Sequence, residues 1–445
     1  MASQFGIDMK KVNSNFSSQF RFAAPYIRAH RDKTFVVGLP GDAIDSENFQ
    51  NLVHDLSLLS SLGIKLVLVH GSRPQIEEAL AERGQSSQIV NHIRVTPEDQ
   101  LKTICSAIHS NQDRIVRAFS RGMPHTPGFG LQNSVISGNF VTARPIGVKE
   151  GTDYLYTGQV RLINHEQINT ALDSGSIVLI STLGYSFTGE LFNLSIAELT
   201  SCICQSLNAD KLVCFATTEK LTSLHTVGDN VFNIVQMENI LADQSEPDAL
   251  VQAAVSTINQ GMERAHIIDF EGEGALLEEL FTPQGSGVML VERDIEKVRT
   301  AKLEDIGGIL ELIQPLETSG QLIRRDRDSL EQQIDCFRVI DIDGMIVACA
   351  AIFIYADENT AELACLASHP DFQSGGRGTK LVQHIEHAAL SQGLDKLISL
   401  TTEGAHWFIG QGFEQAEITD LPKARQEMYN SKRASKIFIK SLIAK

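Results

Sequence analysis

Gln373-Ser-Gly-Gly-Arg-Gly378 stands between an apolar run, Glu362 to Ser368, and an amphipathic stretch from about Thr379 to Ser391 that closes on Gly393. The first reads as a strand, and the second as a helix ended by a glycine. Small residues at such a junction let the backbone approach a diphosphate, and the free N–H groups and positive dipole end of the helix favour an anion. A dinucleotide-binding fold would place G-x-G-x-x-G after the first strand of a β-α-β unit. Here the loop instead follows Phe337 to Asp341 and Met345 to Tyr355, two runs flanking Asp343-Gly344, a two-residue hairpin signal. A nicotinamide cofactor is therefore disfavoured, and the loop reads as a cradle for another anion.

Further along, Lys396 to Thr401 reads as a strand and Trp407 to Phe413 as a short helix, so this half of the chain is an α+β domain with hairpins. The other half has a different rhythm. Apolar runs at 34–37 and 64–69 are separated by a helical stretch, Phe49 to Leu62, and the alternation continues through Ser176–Ser181, Lys211–Phe215 and His266–Asp269. Helical segments fall near 98–122, 195–207 and 247–263. That order predicts an α/β doubly wound parallel sheet. The boundaries expected are 1–285 for this domain, a Pro/Gly-marked linker at 286–296, and 297–445 for the second domain. The amphipathic stretch Phe16 to His30 predicts a helix standing free at the N-terminus.

The chain has 445 residues, with 38 Lys and Arg against 55 Asp and Glu, a net charge of -17. Nucleic acids and anionic membranes require a basic surface and are not expected as partners. The longest apolar runs fall short of the ~18–20 residues of a membrane span. The first thirty residues carry no secretory-signal pattern, and seven cysteines without zinc-like spacing predict reduced thiols in the cytoplasm. Cys202-x-Cys204 reads as core packing. The thirteen histidines form no ligand-like cluster, so no metal is expected.

At residues 373, 376 and 378 the sequence resembles the GNAT N-acetyltransferase superfamily, whose Q/R-x-x-G-x-G/A loop binds the pyrophosphate of acetyl-CoA. Both halves together resemble the bacterial N-acetylglutamate synthases, which join an amino-acid-kinase-like domain to a GNAT domain. The resemblance rests on Ala23-Ala-Pro-Tyr-Ile27, Val69-His-Gly-Ser-Arg-Pro74, Ala275-Leu-Leu-Glu-Glu-Leu-Phe-Thr282, Glu362-Leu-Ala-Cys365, Thr401-Thr-Glu-Gly-Ala-His-Trp-Phe408 and Tyr429-Asn-Ser-Lys-Arg-Ala-Ser-Lys436. It implies acetyl transfer from acetyl-CoA to L-glutamate, the first step of arginine biosynthesis, inhibition by L-arginine, and a homo-oligomer, a hexamer.

Acetylglutamate kinases, which the first domain resembles, carry cations and glycine N–H groups that neutralise the γ-phosphate. This chain departs at four places: Gly38 replaces a lysine, Gly71-Ser72-Arg73 a triple glycine, Ala197 the catalytic aspartate, and Leu250 falls near a second lysine. A dead phosphate site is expected. The resemblance implies that arginine binds instead, at Tyr26, Glu279 and Gly285, with Glu279 facing the guanidinium.

In the second domain the amine of glutamate must lose a proton before it attacks the thioester, which calls for a general base. Glu362, on the strand beside the loop, is the candidate. Superfamily members often protonate the leaving thiolate with a tyrosine, but that position here is Phe408, so Thr401 is favoured and Tyr429 kept as an alternative. Backbone groups near Cys365 and Ala367 would polarise the carbonyl, and Gln373, Gly376, Arg377 and Gly378 would hold the coenzyme. By resemblance Arg324, Arg433 and Ser435 would bind the two carboxylates of glutamate. Two other readings stay open: a working acetylglutamate kinase fused to an acetyltransferase, and a sensor of arginine and acetyl-CoA without turnover.

Overall fold

A computed structural model describes residues 9–122, 133–225, 230–242, 244, 248–282, 285–292, 297–342, 344–373, 376–431, 433 and 435–442. Asp343, Ser374, Gly375 and Lys432, singled out from the sequence, lie outside the described residues. The chain divides into two compact units, Met1–Arg293 and Asp294–Lys445.

The first unit is built on an eight-stranded sheet in the order Val231–Asn233, Val288–Val291, Arg264–Asp269, Lys211–Ala216, Thr34–Leu39, Lys65–His70, Ile177–Ser181, Val135–Ile136. The central strands pair in parallel. Because helices cover both faces, these strands read as continuous apolar runs rather than alternating ones. Phe35, Val37 and Leu39 pack with Leu66 and Leu68 in one core, and Val36 packs with Val67 and Val69 in the other. Helices Phe49–Ser61 and Glu98–Ser120 supply the first core, while Ile196–Leu207 and Ala249–Asn259 supply the second.

Three features of this unit differ from the sequence expectation. Val288–Val291, inside the stretch read as a linker, is a buried strand antiparallel to Arg264–Asp269. Its glycine-rich approach masked a strand of four residues. A second, four-stranded sheet joins Val141–Pro145, Gly158–Ile163, Leu183–Tyr185 and Leu191–Asn193. Those strands are short and are interrupted by Pro145, Gly158 and Gly184, so their pattern is weak. Finally, the N-terminal helix, Met9–His30, does not stand free at its C-terminal end: the His30 ring contacts Phe35 and Phe281, and its Nε2 lies 2.9 Å from the Leu280 carbonyl.

The second unit has a seven-stranded sheet in the order Lys297–Thr300, Phe337–Ile342, Met345–Tyr355, Thr360–Ser368, Lys396–Thr401, Lys436–Ser441, Glu414–Ala416. Gly344, at φ +83°, closes the hairpin between the second and third of these. Among the described residues of this sheet one pair alone is parallel, Thr360–Ser368 with Lys396–Thr401, and helix Arg377–Ser391 makes the crossover. That helix covers one face, through Leu381, Val382 and Ile385. Helix Ile306–Thr318 covers the other, through Ile309, Leu312 and Ile313.

Candidate active site

Helix Arg377–Ser391 has 15 residues, long enough for its aligned dipoles and free first-turn N–H groups to attract an anion. Gly376 precedes it at φ +67°, and among the described residues no atom beyond its chain neighbours lies within 4 Å of where its Cβ would be. The backbone turn, not crowding, calls for glycine there. At Gly378 the reason is reversed, since a Cβ would meet Trp407 Cζ2 at 3.1 Å. Gln373 is exposed at the entrance to the loop. Arg377, expected to touch the coenzyme, is buried: its Nη1 donates to the Phe372 carbonyl at 3.0 Å, and its guanidinium lies 5.3 Å from the Phe372 ring centroid. These contacts fasten the helix start to the end of the preceding segment.

The strand leading to this loop separates from its parallel neighbour. Pairing runs from Thr360 with Lys396 to Leu363 with Ser399 and no further. Just beyond, Cys365 has φ +50°, and the register slips from Ala351 opposite Ala364 to Cys349 opposite Ala367. The strand thus carries one extra residue, a bulge that bends it and re-aims its side chains. Ala364 and Cys365 turn to the same core, that of helix Ile306–Thr318. Past Leu363 the strand has no strand partner on that side among the described residues, so the two strands part there and leave a cleft between them. Burial pushes the Cys365 thiol up to about 11, which keeps it protonated and inert.

Glu362 sits at the mouth of this cleft, 6% exposed. Its Oε2 accepts from Arg425 Nε at 2.7 Å and from the Tyr355 hydroxyl at 3.1 Å. Burial, with the charge and hydrogen bond of Glu362, pushes the Tyr355 phenol up to about 12. Neither partner was singled out from the sequence. Tyr355 reaches Glu362 diagonally across a hairpin, with Phe353 opposite Glu362 and Tyr355 opposite Thr360, a neighbour visible once the register is known. Arg425 lies on a one-turn helix, Lys423–Glu427, in a stretch without apolar periodicity.

Two further arginines share this region. Arg433 donates through Nη2 to the Gln321 carbonyl, and its pKa is lowered by burial and by the charges of Arg425 and Arg325. Arg325 lies with its guanidinium 5.8 Å from the Phe353 ring centroid, whereas Arg324, the expected ligand, is exposed and acts electrostatically on Asp326. Ser435 is buried, and its carbonyl accepts from the Tyr429 hydroxyl at 2.9 Å. Thr401 ends its strand with its hydroxyl donating to the Glu403 carbonyl, and Gln321 Nε2 donates to Glu403 Oε2 at 2.8 Å. Gln321 thereby links the Arg433 and Thr401 sides of the site. No cluster of His, Cys, Asp and Glu able to hold a metal occurs among the described residues.

In the first unit, Glu279 is buried and fully engaged. Its Oε1 lies 2.6 Å from His266 Nδ1, and its Oε2 accepts from the N–H groups of Ser286 and Gly287, each at 2.8 Å. Burial alone would raise its pKa, but His266 and the two N–H groups outweigh that, and the carboxyl falls below its usual range. His266 is held neutral by burial, and Lys211 Nζ lies 3.3 Å from its Nε2. Gly285, at φ +63°, abuts this carboxylate: a Cβ there would stand 2.4 Å from Glu279 Oε2. Tyr26 is half-buried against the same core, its ring centroid 6.4 Å from that of His30. Elsewhere, around the glycines that would cradle a phosphate, a Cβ on Gly38 would meet Leu250 Cδ2 at 2.6 Å and one on Gly71 would meet Ile196 Cδ1 at 3.2 Å.

Residues 33–269 match the amino acid kinase family and residues 308–408 the acetyltransferase (GNAT) family. The chain is 45% identical to the amino-acid acetyltransferase of Ectopseudomonas mendocina over 430 residues, 96% of this chain and 100% of that one. It is likewise 45% identical to that of Azotobacter vinelandii, with the same coverage. Among solved structures, N-acetylglutamate synthase from Neisseria gonorrhoeae complexed with coenzyme A and L-arginine matches with a TM-score of 0.83 at 33% identity, over 96% of this chain and 100% of the other. The same enzyme complexed with coenzyme A and N-acetyl-glutamate matches with a TM-score of 0.60.

Proposed function

The chain belongs to the amino-acid acetyltransferases, and we propose that it transfers the acetyl group of acetyl-CoA to the α-amine of L-glutamate under inhibition by L-arginine. The observation that carries this reading is the parting of the strands at Leu363 and Ser399, with Glu362 at its edge and an open helix N-terminus at Arg377.

The residues present suit acetyl-CoA: the thin turn at Gly378 against Trp407 and the first-turn N–H groups fit a diphosphate. Bound there, acetyl-CoA would supply the activated acyl group. Donors near Cys365 and Ala367 stabilise the oxyanion that develops on the carbonyl. Glu362 accepts the amine proton directly or through one water. Arg433 and Ser435 hold carboxylates of glutamate, and Arg325, near enough to Arg433 for its charge to lower that pKa, takes the part expected of Arg324. Thr401, at the end of the diverging strand, donates to the departing thiolate.

Arginine would sit at Tyr26, Glu279 and Gly285, where Glu279, bonded to His266, Ser286 and Gly287, would exchange one of those bonds for the guanidinium. The apolar filling at Gly38 supports a first unit that senses and does not phosphorylate. A cytoplasmic homo-oligomer, a hexamer, completes the reading. No described helix is long and apolar enough to cross a membrane.

Release of CoA thiol from acetyl-CoA, measured across a panel of amino acids with and without arginine, tests this function. Glutamate-dependent release that arginine suppresses is expected. Tight acetyl-CoA binding without release would favour a non-catalytic sensor and sink the proposal.

A further inference from the structure

Glu362 is buried, yet its two oxygens have different surroundings. Oε2 accepts both Arg425 Nε and the Tyr355 hydroxyl, while Oε1 has no hydrogen bond to the described residues. The asymmetry is built by the fold. Tyr355 and Glu362 stand diagonally on one face of a hairpin, and Arg425 comes from the segment that covers that face. The covering segment is anchored on both sides of Arg425: Leu421 packs with Ile398 and Ile437, Lys423 N donates to Glu358 Oε1 at 2.8 Å, and Tyr429 packs against the same apolar cluster. Arg425 is itself largely buried, so its charge is little screened by water.

We propose that Arg425 and Tyr355 are positioning residues for Glu362, clamping Oε2 so that Oε1 alone faces the amine as the proton acceptor. The proposal rests on the reading of Glu362 as the general base. A carboxylate free to rotate would offer either oxygen to the arginine and lose its aim. Two donors on one oxygen fix the plane of the group and leave the lone pairs of the other directed to the cleft. Tyr355 keeps its proton, since its phenol lies at about 12, and so remains a donor throughout.

The other ionisable groups around Glu362 do not take over this role. Cys365, beyond the bulge, stays a neutral thiol, and the charges of Arg425 and Arg325 lower the pKa of Arg433. Glu317 is engaged by the Arg325 N–H at 2.8 Å. The strand Lys396–Thr401 places Ile398 opposite Glu362, and Ile439 follows opposite Ile398 on the next strand, so neither offers a charge.

The test is kcat and the KM for glutamate in the full-length enzyme, with coenzyme A binding measured by calorimetry to confirm an intact fold. Glu362→Gln should remove most activity. Arg425→Gln should lower kcat about tenfold or more with little change in the KM for glutamate, and Arg425→Lys should recover part of that loss. Tyr355→Phe, a milder change, should lower kcat severalfold, again with little change in that KM. An Arg425→Gln enzyme whose KM rises while its kcat stays close to that of the parent would make Arg425 a glutamate ligand and overturn the clamp. If Glu362→Gln retained wild-type activity, the base itself would be wrongly assigned. Loss of activity in Glu362→Gln with unchanged kcat in both Arg425→Gln and Tyr355→Phe would spare the base and refute the clamp alone.

Discussion

Leu250 stands where a side chain at position 38 would need to be: a Cβ on Gly38 would lie 2.6 Å from Leu250 Cδ2. Both residues belong to buried surroundings, Leu250 being 2% exposed. Gly38→Ala should therefore overpack the core and cost roughly 1–3 kcal/mol. Leu250→Ala should cost roughly 2–5 kcal/mol through the cavity it leaves. Together they should be less destabilising than their sum, because each relieves the defect of the other. Urea midpoints of the four proteins decide this, and strict additivity would mean that the two side chains do not compete for one space. None of the variants should gain ATP-dependent phosphorylation of N-acetylglutamate.

The acid stability of the first unit should depend on His70. Its Nε2 is buried with no hydrogen-bond partner among the described residues, and burial, opposed by the Gly71 carbonyl and aided by His109, pushes it down to about 4. A histidine whose folded pKa lies below its unfolded value takes up its proton first in the unfolded chain. Stability is then complete above the ordinary 6.5 and declines as pH falls toward 4. Across that window the loss is about 3 kcal/mol. Urea unfolding from pH 7.5 to 4.5 should show a shallower decline in His70→Asn than in the parent. Parallel curves would mean that other groups govern the acid transition.

The parallel strands of the first unit were legible because burial on both faces leaves uninterrupted apolar runs, as in Phe35-Val-Val37 and Leu66-Val-Leu-Val69. Helix Arg377–Ser391 and the hairpin closed at Gly344 were legible for local reasons, a glycine at each turn and a clear period between them. Glu362 could be picked out by its place beside the loop, but its clamp could not. Arg425 is 63 residues away in sequence, and Tyr355 becomes a neighbour only through the register of a hairpin that contains a bulge. The inward turn of Arg377 was hidden for a similar reason, since an arginine after a glycine loop looks like a phosphate ligand until Phe372 is seen beneath it. The sequence favoured Arg324 over Arg325, and adjacent residues in an irregular segment carry no periodicity to decide which one turns inward.

Arginine inhibition should be separable from catalysis at Gly285. Alanine there would place a Cβ 2.4 Å from Glu279 Oε2 at a φ of +63°, so both the steric contact and the backbone would force Glu279 out of its bonds to Ser286 and Gly287. Gly285→Ala should raise the arginine concentration for half-inhibition by about tenfold or more, equivalent to a loss of about 1.4 kcal/mol of binding. The rate without arginine should stay within about twofold, since the substitution changes no residue of the second unit, which carries the chemical step. Inhibition curves that overlay those of the parent would remove Glu279 and its loop from the regulatory site.

The coenzyme site makes the sharpest kinetic demand at Gly378. A Cβ there would stand 3.1 Å from Trp407 Cζ2, so the indole must retreat by a few tenths of an ångström or the first turn of the helix must lift. Either motion disturbs the N–H groups that would receive the diphosphate without touching Glu362 or Arg433. Gly378→Ala should therefore raise the KM for acetyl-CoA about tenfold, a penalty of about 1.4 kcal/mol, and leave the KM for glutamate nearly unchanged. If the loss falls on ground-state and transition-state binding alike, kcat at saturating acetyl-CoA stays close to that of the parent. Gly378→Ala combined with Trp407→Phe should recover part of the affinity, because the smaller ring vacates the space that the new methyl group enters. An unchanged KM for acetyl-CoA in Gly378→Ala, with coenzyme A binding equally intact, would place the diphosphate away from this helix and with it undo the assignment of the cleft.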